Sequence, residues 1–184
     1  MKSPSHDLTV FGATSFVGQI LARYLFAQFG AHDGLKWALA GRSEQKLQRL
    51  RSSLGTKAAR LPIVIADAAD VVALEALCAQ TRVVISTVGP YALYGEPLVK
   101  ACAETGTDYC DLTGEPQWMR RMIDAYSAEA EASGARLVHA SGFDSIPSDL
   151  GVWFTQQRAI ESLGQPCTRI DMRVEAMKGG ASGG

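Results

Sequence analysis

Residues 8 to 29 place a short β-rich run, Leu8-Thr-Val-Phe11, directly before Gly12-Ala-Thr-Ser-Phe-Val-Gly18 and a stretch with apolar residues at helical spacing. In that stretch, Phe16–Phe29, the face is formed by Val17, Ile20, Leu21, Tyr24 and Leu25. A strand, a glycine-bounded turn and a helix in so short a span strongly restrict the architecture. Where the next strand joins the same sheet parallel to the first, the crossover is right-handed.

The unit then repeats along the chain. Strand Leu35–Ala40 precedes helix Ser43–Leu54, Pro62–Ala66 precedes Ala69–Ala79, and Arg82–Thr87 precedes Glu96–Thr105. Asp108–Leu112 precedes Gln117–Ser133, and Arg136–Ala140 precedes Ser148–Glu161. Continuous apolar runs such as Ile63-Val-Ile65 and Val83-Val-Ile85 suit strands covered on both faces. The expectation is an α/β fold, a Rossmann-type doubly wound parallel sheet of six strands, with its ligand crevice at the C-terminal strand ends.

Beyond Leu163, Thr168-Arg-Ile-Asp-Met-Arg-Val-Glu175 alternates apolar and charged residues as a half-buried strand does, yet no partner for it is evident in this chain. It is read as the first strand of a truncated second domain. Residues 1–163 then form the nucleotide-binding domain and residues 164–184 the start of a substrate or dimerisation domain. On this reading the natural polypeptide continues, and a homodimer forms through that further domain. The competing reading folds the segment back as a hairpin on the sheet edge. The terminal Lys178–Gly184 run has the composition of a flexible tail, but because it follows an unpaired strand the polypeptide is expected to continue.

The 184 residues are 47% apolar and 20% charged, with a formal net charge of −1, which offers no field for nucleic acid or an anionic membrane. Cys78, Cys102, Cys110 and Cys167 form no C-x-x-C pair, so neither a zinc site nor a disulfide framework is expected. Reduced thiols fit a cytoplasmic protein. Met1 to Asp7 is short and polar, unlike a signal peptide. The Phe16–Phe29 stretch contains Gln19, Arg23 and Gln28 and is too short for a transmembrane segment.

Chemistry is sought at the strand ends. At the first, helix N–H groups and the helix dipole can receive a pyrophosphate. Gly12 permits the turn and Gly18 permits close packing of helix on strand, with Thr14, Phe16 and Val17 along the loop. Ser15 stands where a second glycine usually lets the phosphate approach; its side chain is expected to crowd that approach slightly, while its hydroxyl can donate to a phosphate oxygen. At the second, Ala40-Gly-Arg-Ser43 lacks the acid that would bind a ribose 2′-hydroxyl. Arg42 instead sets a cation at a helix start, a conflict that a bound anion relieves. Arg42 and Ser43, helped by Lys46, are therefore read as holders of the 2′-phosphate of NADP(H).

Asp67 follows the third strand, where it can meet an adenine ring or cap the next helix. Thr87-Val-Gly-Pro90 exposes backbone near the middle of the cofactor, and Tyr91 and Tyr94 follow at once. Either tyrosine can touch the nicotinamide, donate a proton or simply pack. Tyr94 has no lysine four residues on, so the tyrosine–lysine pair of short-chain reductases is absent. The last two strand ends bring Asp111, His139 and Asp144 to the same edge, where proton transfer coupled to hydride transfer would need them. The plainer reading is structural: Ser148 and Asp149 can cap the last helix, and a strand-end histidine is usually just hydrogen-bonded. Tyr91, Asp144 and His139 are the catalytic candidates, and no metal site is expected.

Taken jointly, Gly-Ala-Thr-x-Phe-Val-Gly, Ala-Gly-Arg-Ser, Thr-Val-Gly-Pro-Tyr, Tyr-Gly-Glu-Pro-Leu-Val, Asp-Leu-Thr-Gly-Glu and Gly-Phe-Asp-Ser-Ile-Pro-Ser-Asp resemble the NADP-binding domain of saccharopine dehydrogenase-like oxidoreductases. The likeness is nearest to the trans-acting enoyl reductase branch and spans about Leu8 to Gly151. It implies an NADP-dependent oxidoreductase with Gly12, Ser15, Phe16, Val17, Arg42 and Ser43 around the phosphates. It further implies enoyl reduction of a small-molecule or carrier-bound acyl substrate in lipid metabolism, with peripheral membrane association as an option. Family members continue into a second α/β domain that shapes the substrate pocket. A non-catalytic NADP-binding or sensing module is the alternative, and an isomerase using bound nucleotide is a third reading. Fold alone does not choose among them.

Overall fold

The computed structural model describes residues 4–31, 34–176 and 178. Its elements are β1 His6–Phe11, α1 Phe16–Phe29, β2 Trp37–Gly41, α2 Glu44–Ser53, β3 Ile63–Ile65, α3 Val71–Cys78 and β4 Thr81–Ser86. There follow α4 Tyr91–Tyr94, α5 Glu96–Thr105, β5 Asp108–Asp111, α6 Pro116–Ser133, β6 Leu137–Val138 and α7 Ile146–Leu163. All strand pairs are parallel and the sheet order is β3-β2-β1-β4-β5-β6, the expected doubly wound arrangement.

The order reverses direction beside β1, so the crevice opens above β1 and β4. Successive side chains of a strand point to opposite faces. Val10 and Leu39 accordingly join Trp37, Leu47 and Leu61 in a core on one side, while Phe11 and Ala40 join Leu74, Leu98, Tyr109 and Trp118 on the other. Both faces of β2 are buried along its whole length, which is why its sequence does not alternate.

Several boundaries differ from expectation. The last helix begins at Ile146, because Pro147 tolerates the first turn, where its missing N–H costs nothing. Ser148 and Asp149 therefore lie inside the first turn instead of capping it, and Ser145 occupies the cap position without a side-chain bond. Asp70 caps α3 by accepting from Ala73 N at 3.0 Å, whereas Asp67 closes a short turn by accepting from Ala69 N at 3.0 Å. Strand β6 is only two residues long and is soon followed by Ala140 at φ +54°, off the extended path. A 3-10 turn over Thr56–Arg60 and the single-turn helix α4 were not anticipated.

The alternating segment Thr168–Glu175 is not a strand here and lies in no sheet. A strand needs a neighbour's N–H and C=O groups, and the described residues place none beside it. Neither the strand nor the hairpin is present. The tail reading over Lys178–Gly184 falls, except for Lys178, outside the described residues. Ala159 is the buried residue of α7, while Leu150, Trp153, Phe154 and Leu163 stand exposed. Among the described residues no helix is long and apolar enough to cross a membrane.

Candidate functional site

A cleft of about 340 Å³ runs over the C-terminal ends of β1 to β4. Its floor is the glycine turn between β1 and α1. Gly12 sits at φ +81°, and a Cβ there would lie 2.6 Å from Val88 Cγ2 and 2.9 Å from Thr87 Oγ1. A Cβ on Gly18 would lie 2.3 Å from the Gly12 carbonyl oxygen, so only glycine lets α1 start this close to the turn.

Ser15 lines the cleft where a second glycine is usual. It has φ −66° and caps α1, its hydroxyl oxygen accepting from Gly18 N at 2.9 Å. Its oxygen also lies 3.0 Å from Thr87 Oγ1, which itself donates to Gly12 O at 2.9 Å. Either oxygen of the Ser15–Thr87 pair can be the donor, since a hydroxyl proton rotates to suit its partners. The serine ties the glycine turn to the end of β4. Phe16 and Val17 are the first two residues of α1, whose N–H groups have no acceptor within the helix and remain for an anion. Thr14 lines the cleft, while the Phe16 side chain points to solvent at 68% exposure.

The β2 end supplies the charge. Arg42, Ser43 and Lys46 line the cleft together, with Ser43 capping α2 through Lys46 N at 3.4 Å. Among the described residues no ion pair engages Arg42 or Lys46. Two cations at a helix start, with no acid between Gly41 and Ser43, fit a 2′-phosphate and offer a ribose 2′-hydroxyl no carboxylate. Asp67 stands across the cleft beside Ala66 and Ala68, whose small side chains leave room for a ring. Thr87, Val88 and Gly89 form the far wall, joined by Tyr94; Pro90 and the Val17 side chain lie outside the lining. The residues present thus fit an NADP(H) dinucleotide along the cleft.

The three catalytic candidates do not converge on this cleft. Tyr91 is 2% exposed; its hydroxyl donates to Ser86 O at 3.0 Å and accepts from Leu112 N at 3.4 Å. Burial pushes its phenol above the ordinary range, against the smaller opposing effect of the Leu112 N–H. That hydroxyl closes the wall turn. His139 lies within the fold, its Nδ1 donating to Asp111 Oδ2 at 2.7 Å and its ring edge-on to Trp118 at 5.1 Å.

The Asp111 carboxylate is fully buried and also accepts from Tyr109 Oη at 2.9 Å, Thr113 N at 3.1 Å and Ala140 N at 2.9 Å. Four donors satisfy it, and the bond to Ala140 braces that residue's left-handed backbone. Burial first, and the Asp111 charge second, hold the Tyr109 phenol well above its ordinary value. Asp144 alone of the three candidates is exposed.

Sequence reasoning quoted Glu115 only as the end of the Asp-Leu-Thr-Gly-Glu motif and gave it no role. Its two carboxylate oxygens accept from Tyr91 N at 2.7 Å and Ala92 N at 2.9 Å, at the start of α4. Its place before Pro116 carried no local signal for a contact 24 residues away.

Comparison with known proteins bears on this geometry. A family model described as the saccharopine dehydrogenase NADP binding domain matches residues 8–138. A Mycobacterium tuberculosis protein provisionally named a trans-acting enoyl reductase is 49% identical over 178 residues, covering 97% of this chain and 42% of the relative. A trans-acting enoyl reductase of Mycobacterium leprae is 46% identical over 155 residues, covering 84% of this chain and 36% of that protein. The chain therefore spans well under half the length of these relatives. Among solved structures, apo saccharopine dehydrogenase (L-Glu forming) from Saccharomyces cerevisiae superposes with a TM-score of 0.67 at 20% identity, over 85% of this chain and 32% of that one. At that identity the likeness speaks for the fold.

Proposed function

The chain belongs to the saccharopine dehydrogenase NADP-binding domain family, and on that footing we propose that it is the cofactor-holding part of an NADP(H)-dependent enoyl reductase. The observation that carries the reading is the pairing of a glycine-floored anion cradle with Arg42, Ser43 and Lys46 at one end of the same cleft. When bound, NADPH supplies a hydride. The protein's part is positional. Phe16 and Val17 N–H groups and the α1 dipole hold the pyrophosphate, Arg42 and Ser43 grip the 2′-phosphate, and Asp67 with Ala68 borders the adenine. Thr87, Val88 and Gly89 flank the cofactor's far half.

The acceptor is proposed to be a carrier-bound or small-molecule acyl compound with a carbon–carbon double bond, by analogy with the relatives' names. Asp144, open to solvent at the same sheet edge, is the candidate for proton exchange, since Tyr91 and His139 are committed to internal bonds. A second domain beginning near residue 164, with dimerisation through it, belongs to the same proposal, as does a cytoplasmic location. The binding-module alternative draws on the separation of the catalytic candidates from the cleft.

Titration of NADPH and NADH against Arg42→Ala tests the central claim. Losing a charge-assisted bond of about 1.5–3 kcal/mol should weaken NADPH roughly 10- to 150-fold and leave NADH unchanged. Unaltered NADPH affinity would refute the assignment. Consumption of NADPH with an enoyl thioester by the longer natural polypeptide would separate reductase from binding module.

A further inference from the structure

The wall of the cleft formed by Thr87, Val88 and Gly89 is held from behind by groups that touch no part of the cleft. Its near end is anchored at Ser86, whose carbonyl receives the Tyr91 hydroxyl at 3.0 Å. Its far end is anchored at Tyr91 and Ala92, whose backbone N–H groups both donate to the single carboxylate of Glu115, at 2.7 and 2.9 Å. Glu115 is itself fixed, its own N–H donating to Thr113 Oγ1 at 3.1 Å. Among the described residues no cation pairs with Glu115. Its charge is answered by the two N–H groups of the first turn of α4.

We infer that Glu115 is a positioning residue for the cofactor, setting the place of the Thr87–Gly89 wall through the start of α4. The inference rests on the proposed NADP(H) reading and deepens it. Both carboxylate oxygens are engaged, so the position and the angle of α4 relative to the β5–α6 connection are set together. A carboxamide cannot replace this, because its NH2 would face an N–H donor. The strand order separates the two halves of the site, with Arg42 at the end of β2 and Thr87 at the end of β4 on either side of β1. Those ends lie roughly 10 Å apart at ordinary strand spacing. Glu115 therefore acts on the half of the cleft that an adenosine fragment does not reach.

The test compares two ligands on the wild-type chain and Glu115→Gln: NADPH, which spans the cleft, and adenosine 2′,5′-bisphosphate, which occupies only the Arg42 side. Glu115→Gln should weaken NADPH about 5- to 20-fold, as displaced positioning groups do, and leave adenosine 2′,5′-bisphosphate unchanged. Glu115→Asp, which keeps the charge but withdraws it by one methylene, serves as a second variant and should shift the same ratio in the same direction. Equal loss for both ligands, or loss for neither, overturns the positioning role. Failure of the wild-type chain to bind either ligand would instead overturn the cofactor reading on which it rests.

Discussion

Replacing Gly18 with alanine sets two effects of known size against each other. Gly18 is the third residue of α1, and in a helix alanine is favoured over glycine by about 1 kcal/mol. Against this, the new Cβ would lie 2.3 Å from Gly12 O and 2.9 Å from both Ala13 Cα and Ala13 C, all backbone atoms. They cannot yield cheaply, because Gly12 N and Ala13 N both donate to Ala40 O, at 3.0 and 3.1 Å, and Thr87 Oγ1 grips Gly12 O at 2.9 Å. Relief needs a shift on the order of 1 Å at the helix start, an overpacking cost of about 1–3 kcal/mol or more. The clash should offset the propensity gain and win by up to about 2 kcal/mol, lowering Tm by up to roughly 4–8 °C for a chain of this length. Gly151→Ala is the matched control, since Gly151 lies in α7 with nothing within 4 Å of its Cβ position. There propensity acts alone, and Tm should rise by roughly 2–4 °C. Thermal unfolding followed by far-UV circular dichroism reads both, and NADPH titration should show weakened binding for Gly18→Ala. A rise in Tm for Gly18→Ala matching that of Gly151→Ala would refute the close-packing reasoning.

Three further outcomes are expected. Tyr91→Phe leaves the buried Ser86 carbonyl without its hydroxyl partner and should cost about 1–3 kcal/mol in a denaturant melt. NADPH affinity between pH 6 and 9 should keep its wild-type pH dependence, because burial holds the phenol protonated throughout; a new titration in that window would contradict the structural assignment. The Arg136 guanidinium holds the Asp108 carboxyl below its ordinary range, through contacts of 3.0 and 3.1 Å from Nε. A depressed carboxyl contributes stability that is present above the unfolded-state value, about 3.9, and lost as pH falls through the lower folded value. The Tm gap between wild type and Asp108→Asn should therefore be open at pH 6 and close progressively below about pH 4. A gap that widens on acidification would contradict the sign.

The fold and much of the cleft were legible because their determinants are local. Apolar spacing marks α1, glycine at φ +81° marks the turn, and a basic residue in place of an acid marks the β2 end. Ser15 shows where such reading stops. Its position in the loop was evident, but its hydroxyl is turned to Thr87, 72 residues away, and that pairing exists only because β4 lies beside β1. The same holds for His139, whose partner Asp111 lies on the neighbouring strand β5, and for Tyr91, whose hydroxyl is consumed by the backbone.

Short-range sterics act within a few residues, so the sequence alone determined the alternation of strands and helices, the glycine turn and the cationic start of α2. Proton partners and burial depend on which strands become neighbours, so only the tertiary structure decided that Ser15 meets Thr87, that Asp111 is a buried acceptor for four donors and that Glu115 braces the cleft wall. Thr168–Glu175 lies in no sheet among the described residues: alternation records which face a strand would bury, and a ladder still requires a neighbour to hydrogen-bond.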